Sequence, residues 1–267
     1  MQLELDDTTL YYEDSGAGST GETIAFAHGL LWRTELFAPQ IAALRARYRC
    51  IAWDHRGQGR SAADRRHCID MELVAKDAIA VIERVARGPV HFVGLSMGGF
   101  VAMRVAARRP ELVKSLVLLE TSADPEPNEN LAKYRVLSAI SRAIGPKPLR
   151  GRIAPIMFGR TILGDRARRD ELAGYLEILG SRRDAWRAVN GVIDRAGVRD
   201  ELARIRAPTL VVVGDEDLAT PPVRAERIAA AIAGARLATI AGAGHSSPVE
   251  QPDAVTSTIA SFLHGVR

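Results

Sequence analysis

Apolar runs of four to six residues, too short for helices, recur along this chain and alternate with longer stretches whose apolar residues fall at helical spacing. The runs are Thr23–Ala27, Arg49–Trp53, residues 90–94, 115–119 and 209–213, and Arg236–Ile240. Unbroken apolar runs read as strands buried on both faces, with the intervening helices as cover. The pattern predicts an α/β domain on a mostly parallel sheet. Helices are expected over residues 35–47, over Met97–Arg108, and over residues 223–233 and 252–264. A further helix is expected from Asp70 as N-cap, with Leu73, Val74, Ile79, Ile82 and Val85 on one face. Residues 2–6 and 8–13 alternate about Asp7 as in a hairpin.

One stretch breaks the alternation. Residues 122–207 contain nothing that reads as a strand, and their helical pattern is interrupted at Gly145-Pro146, Gly159, Gly164 and Gly180. The expectation is a core domain formed by residues 1–121 and 208–267, with a helical cap over 122–207 inserted between two strands. The charge follows the same division. The chain carries a net +4. Residues 122–207 hold 17 Lys+Arg against 11 Asp+Glu, leaving 36 − 17 = 19 basic and 32 − 11 = 21 acidic residues elsewhere. The basic character therefore belongs to the insertion, where it reads as a solvated arginine-rich face or as a field that attracts an anionic substrate. Aromatics are only 5% and no block of like charge occurs, which argues against a nucleic-acid surface. Cys50 and Cys68 are the only cysteines and form no CxxC, which excludes a disulfide framework and a cysteine zinc site. No apolar run approaches the roughly 18 residues of a membrane span, and residues 1–7 are acidic, so a cytoplasmic protein is expected.

The chemistry centres on Gly94-Leu95-Ser96-Met97-Gly98, a G-x-S-x-G placed between an expected strand and a small-residue helix, with Gly99 extending the glycines. A sharp strand-to-helix turn strains the serine backbone and leaves its oxygen exposed, with the positive end of the helix beneath it. Neither a P-loop nor a G-x-G-x-x-G pattern is present, which disfavours a phosphate-binding turn. A serine alcohol needs a base oriented by an acid. His245, on the glycine-rich loop after Arg236–Ile240, is the candidate base. Packed or surface positions suit His91, His67 and His264 better, and His28 reads as a structural loop histidine. The candidate acid is Asp217, just past residues 209–213, with Asp215 and Glu216 beside it and Glu120, at the end of residues 115–119, as competitor from another strand end. Two backbone amides are needed for developing negative charge. Met97, after the serine, offers one, and Leu30, in the loop after Thr23–Ala27, offers the other. The loop of residues 54–61 reads as a structural turn.

Ala27-His28-Gly29, residues 54–61, Gly94 to Gly99, Gly214 to Asp217 with Thr220-Pro221-Pro222, and Gly242 to His245 together resemble the α/β-hydrolase superfamily. The C-terminal third is most similar to bacterial 3-oxoadipate enol-lactonases and related carboxylesterases. The resemblance spans nearly the whole chain. It implies an eight-stranded sheet, a Ser-Asp-His triad, a helical lid over residues 122–207, and no metal or organic cofactor. Leu95 stands where carbon–carbon bond hydrolases of the superfamily carry Asn, and Leu30 where cofactor-free haloperoxidases carry an aromatic residue. Ser96 excludes the dehalogenases that use Asp as nucleophile. The expected activity is hydrolysis of a small ester or lactone. Acyl transfer, perhydrolysis and carbon–carbon cleavage on the same groups are the alternatives, and a non-enzymatic ligand-binding protein is the remaining one.

Overall fold

The computed structural model describes residues 1–266. Eight strands, β1 (Gln2–Glu4), β2 (Thr9–Asp14), β3 (Thr23–Ala27), β4 (Arg49–Trp53), β5 (Val90–Leu95), β6 (Val113–Leu119), β7 (Thr209–Gly214) and β8 (Arg236–Ile240), form one sheet. Its order is β1-β2-β4-β3-β5-β6-β7-β8. The β1–β2 and β2–β4 pairs are antiparallel and every other pair is parallel. β1 and β2 form the expected hairpin, turned by a hydrogen bond from the Leu5 amide to Thr8 O.

The apolar runs are unbroken because both faces are covered. Along β7, Leu210 and Val212 join one apolar cluster while Val211 and Val213 join the other. β3 divides in the same way, Ile24 and Phe26 against Ala25 and Ala27. Helices α1 (Ala38–Leu44) and α11 (Pro252–Gly265) cover the first face; α2 (Met71–Val81), α3 (Met97–Arg108) and α9 (Pro222–Ala231) cover the second. Asp70 caps α2 by accepting from the Leu73 amide at 2.8 Å. The α-helical stretch ends at Val81, short of Val85. A wider π turn over Ile82–Ala86 follows, and Arg87 closes it in the left-handed region, φ 60°.

Between β6 and β7 run five helices: α4 (Asn128–Ile144), α5 (Arg150–Met157), α6 (Arg160–Gly164), α7 (Arg169–Leu179) and α8 (Trp186–Ile193). Three of the glycine positions read from the sequence, Gly145, Gly159 and Gly180, fall between them, while Gly164 is the last residue of α6. A short helix, α10 (Ser247–Glu250), precedes α11. No described helix is long and apolar enough to cross a membrane. The chain leaves β3 for β4 on one side and reaches β5 on the other. The ends of β3 and β5 therefore open a crevice at the point where strand order reverses, where open α/β sheets place their ligands.

Candidate active site

Ser96 joins β5 directly to α3, with φ 52° and ψ −110°. That left-handed backbone is strained for a residue with a Cβ and persists only where the surroundings enforce it. They do so on three sides. The Ser96 amide donates to Leu119 O at 2.9 Å, and its carbonyl accepts from the Phe100 amide at 2.9 Å and from Thr121 Oγ1 at 2.8 Å. Gly98 lets α3 press onto β3, since a Cβ there would lie 2.0 Å from Ala27 O. Among the described non-glycine residues four have positive φ, and three of them, Leu31, Ser96 and Glu120, lie at this end of the sheet. The Ser96 side chain is 7% exposed and opens into a cavity of about 150 Å³ that His245 also lines.

Asp217 Oδ1 and Oδ2 lie 3.1 and 3.0 Å from His245 Nδ1. The carboxylate is turned toward the imidazole by its own loop. Oδ1 accepts from the Ala219 and Thr220 amides at 2.8 and 3.0 Å, and Oδ2 accepts from Thr220 Oγ1 at 2.7 Å. Burial opposes its charge, but the His245 and Thr220 interactions outweigh that, so its pKa falls below the usual carboxylate value. Ser96 Oγ and His245 share the cavity, yet no hydrogen bond joins them in this structure. Such bonds are often long before substrate is bound.

The competing carboxyls go elsewhere. Glu120 is fully buried at the end of β6, and neither of its oxygens has a hydrogen-bond partner. Burial, reinforced by the charge of Asp217, pushes its pKa well above the ordinary glutamate value, which favours the protonated form. Glu216 accepts from Arg160 Nε and from the Thr161 amide, and Asp215 from the Gly242 amide. Only Asp217 among them meets the imidazole.

Leu30 and Met97 flank Ser96 from the ends of β3 and β5. Leu30 lines the cavity, and neither amide has a hydrogen-bond acceptor among the described residues. The Leu30 loop is pinned from the 54–61 turn. Gln58 Oε1 accepts from the Leu31 amide at 2.8 Å, and Asp54 Oδ1 accepts from the Thr34 amide at 2.8 Å. Arg56 ties the same turn to Asp77 and Asp64 inside the core. His28 is structural: Nδ1 donates to Gly29 O and Nε2 accepts from the His55 amide, which fixes a neutral tautomer. Burial lowers its pKa accordingly. His91 is packed against Ser115 Oγ at 2.8 Å, and His67 lies exposed with its ring against the edge of Trp186.

Several contributors escaped the sequence reading. Glu250 is buried under the His245 loop and accepts from the Gly244, Ser246 and Gly159 amides at 3.0, 2.9 and 2.8 Å. It fixes the backbone on both sides of His245 and ties it to the start of α6. The only local signal was a carboxylate four residues after Ser246. The inserted helices wall the cavity with helical stripes: Tyr134, Leu137, Ser138 and Ser141 from α4, and Val189, Val192 and Ile193 from α8. The i, i+3, i+4, i+7 spacing on α4 was visible, but its two serines hid an inward face.

The sequence pattern of the alpha/beta hydrolase family matches residues 24–258. The chain is 26% identical to the enol-lactonase from Burkholderia xenovorans LB400, with 99% of this chain and 100% of that one covered and a TM-score of 0.90. It is 27% identical to a thermophilic esterase from Thermogutta terrifontis, with 97% and 94% covered and a TM-score of 0.89. A Rhizobium rhizogenes protein named "Putative carbamate hydrolase RutD" is 27% identical over 250 residues, 91% of this chain and 92% of that one.

Proposed function

The chain belongs to the alpha/beta hydrolase family, and from that premise we propose that it is a serine hydrolase cleaving a small carboxylic ester or lactone through an acyl-enzyme. Ser96 attacks the carbonyl carbon while His245 takes its proton through Nε2. Asp217 holds Nδ1–H, fixes the tautomer and stabilises the imidazolium. The unoccupied amides of Leu30 and Met97 receive the negative charge that develops on the carbonyl oxygen, with the α3 N-terminus adding a favourable potential. His245 returns the proton to the leaving alcohol, then draws one from the water that cleaves the acyl-enzyme. Residues 122–207 act as a cap that walls the acyl pocket.

The observation that carries this reading is the strained Ser96 sharing a cavity with an imidazole whose other nitrogen is held by a buried carboxylate. The esterase and lactonase names of its structural relatives support the ester class. Hydrolysis of 4-nitrophenyl acetate and butyrate by the wild type should exceed that of Ser96→Ala by on the order of 10⁴-fold or more. An organophosphonate probe should label the wild type at Ser96 and leave the variant unlabelled. Equal rates for the two proteins would overturn the proposal.

A further inference from the structure

Glu250, the last residue of α10, is 1% exposed, and its two oxygens take three backbone amides. Oε2 accepts from Gly244 and Gly159, and Oε1 accepts from Ser246. Gly244 and Ser246 bracket His245. Gly159 belongs to the inserted helices, between α5 and α6. One carboxylate therefore grips the loop of the candidate base and the backbone of the insertion together. The grip needs an acceptor at both oxygens, which an ionised carboxylate supplies and a carboxamide does not. Burial raises the Glu250 pKa, and the three amides and the nearby His245 offset part of that rise.

The joint is backbone against backbone. A Cβ on Gly159 would lie 2.5 Å from Glu216 Oε2 and 2.8 Å from the Gly244 nitrogen, and one on Gly244 would lie 2.6 Å from the Phe158 carbonyl carbon. Side chains do not fit at such distances, so both glycines are needed for the approach. Phe158 is buried, with its ring stacked on Tyr175 of α7 and edge-on to Trp32, whose Nε1 donates to Ser246 Oγ at 3.2 Å. The loop of the candidate acid is fastened to the same spot. Glu216, next to Asp217, accepts from the Thr161 amide and from Thr161 Oγ1, both at 2.8 Å. Neither Glu250 nor Gly159 lines the cavity, whereas α5, which runs into the joint, lines it with Ile153, Ile156 and Met157.

We propose that Glu250 is a positioning residue that couples the cap to the catalytic base. It holds His245 in register for proton transfer with Ser96 only while the Phe158–Gly159 backbone is docked on the His245 loop. The cap thereby sets the rate of bond cleavage as well as the shape of the pocket. This deepens the serine hydrolase reading and rests on it.

The test measures kcat and KM separately on 4-nitrophenyl butyrate, for the full chain and its variants, at a temperature where near-ultraviolet circular dichroism shows each protein folded. Glu250→Gln keeps the shape of the side chain but turns a donor toward the amides. Its kcat should fall by about 10- to 100-fold with KM within about 3-fold of the wild type. Gly159→Ala wedges the joint from the cap side and leaves Glu250 in place. It should lower kcat by about 10-fold, again with KM little changed, and it decides the matter should Glu250→Gln fail to fold. In the double variant the loss should stay within about 3-fold of the worse single variant, because both changes open one joint. A Glu250→Gln kcat within about 3-fold of the wild type overturns the proposal. So does a Gly159→Ala variant altered in KM alone, or losses that multiply in the double variant. Any of these, with turnover still abolished by Ser96→Ala, sinks the Glu250 assignment alone. Turnover unchanged by Ser96→Ala sinks the hydrolase reading beneath it.

Discussion

Helix α3, which directly follows Ser96, and helix α4, the longest of the insertion, show two ways of using a helix beside the same cavity. Eleven of the twelve residues of α3 are buried, against α2 on one side and β3, β5 and β6 on the other. Of the seventeen residues of α4 only Ser138 and Ser141 are buried, and its cavity stripe is the part that meets the rest of the protein closely. The first helix is fixed on all sides, so Ser96 can be held in a strained conformation. The second is fixed along one stripe, so its composition can change without disturbing the sheet. On the proposed function, reaction geometry would belong to the over-determined region and substrate choice to the lightly held one.

The sharpest way to break that contrast is to add one methyl group to the sheet region. Gly98→Ala places a Cβ 2.0 Å from Ala27 O and 2.9 Å from His28 O, both backbone atoms of the β3 end. Neither can rotate away. The expected cost is on the order of 4 kcal/mol, above the usual range for overpacking, with activity lost as well. Thermal unfolding of the purified variant measures it. A Tm within about 2 °C of the wild type would show that the β3–α3 contact is far softer than its geometry requires.

The same contrast explains what could be read from the sequence. β3, β6 and β7 were legible because burial on both faces leaves an unbroken apolar run, and Ser96 because its turn demands glycines at fixed offsets. Asp217 and Glu120 were harder to separate, since both are carboxylates just past the ends of adjacent parallel strands. The difference lies in the Asp217 loop, where the Ala219 and Thr220 amides turn the carboxylate toward His245. Glu250 was not legible as the support of the His245 loop, since it meets Gly159 across 91 positions of sequence. Periodicity and motif spacing report local structure and carry no information about such pairs.

The over-determined region can also hold an unfavourable group, and Glu120 sharpens that side of the comparison through its pH dependence. Burial and the Asp217 charge raise its pKa in the folded protein, which favours the neutral acid there. Unfolded, it ionises above about pH 4.3. Rising pH therefore favours the unfolded state, and stability is lost progressively from that value up to the folded pKa. Glu120→Gln removes this proton and the loss with it. The stability of the variant relative to the wild type should therefore rise between pH 5 and pH 8, as read from urea midpoints at the two values. Parallel curves would mean that Glu120 is ionised in the folded state.

The smallest effect tests the lightly held region by the change that is ruinous in the other. Gly174 sits in the middle of α7, exposed, with no atom within 4 Å of the place a Cβ would take. Alanine there meets no neighbour and removes the excess backbone freedom that glycine gives the unfolded chain. Gly174→Ala should stabilise the protein by roughly 0.5–1 kcal/mol, a Tm rise of about 1–4 °C, with ester hydrolysis unchanged. The sign matters more than the size. A glycine-to-alanine change that destroys α3 and stabilises α7 would separate a helix defined by what surrounds it from one defined by its own backbone. If Gly174→Ala instead lowered Tm, α7 would have to pack as closely as α3, and the division between the two regions would fail.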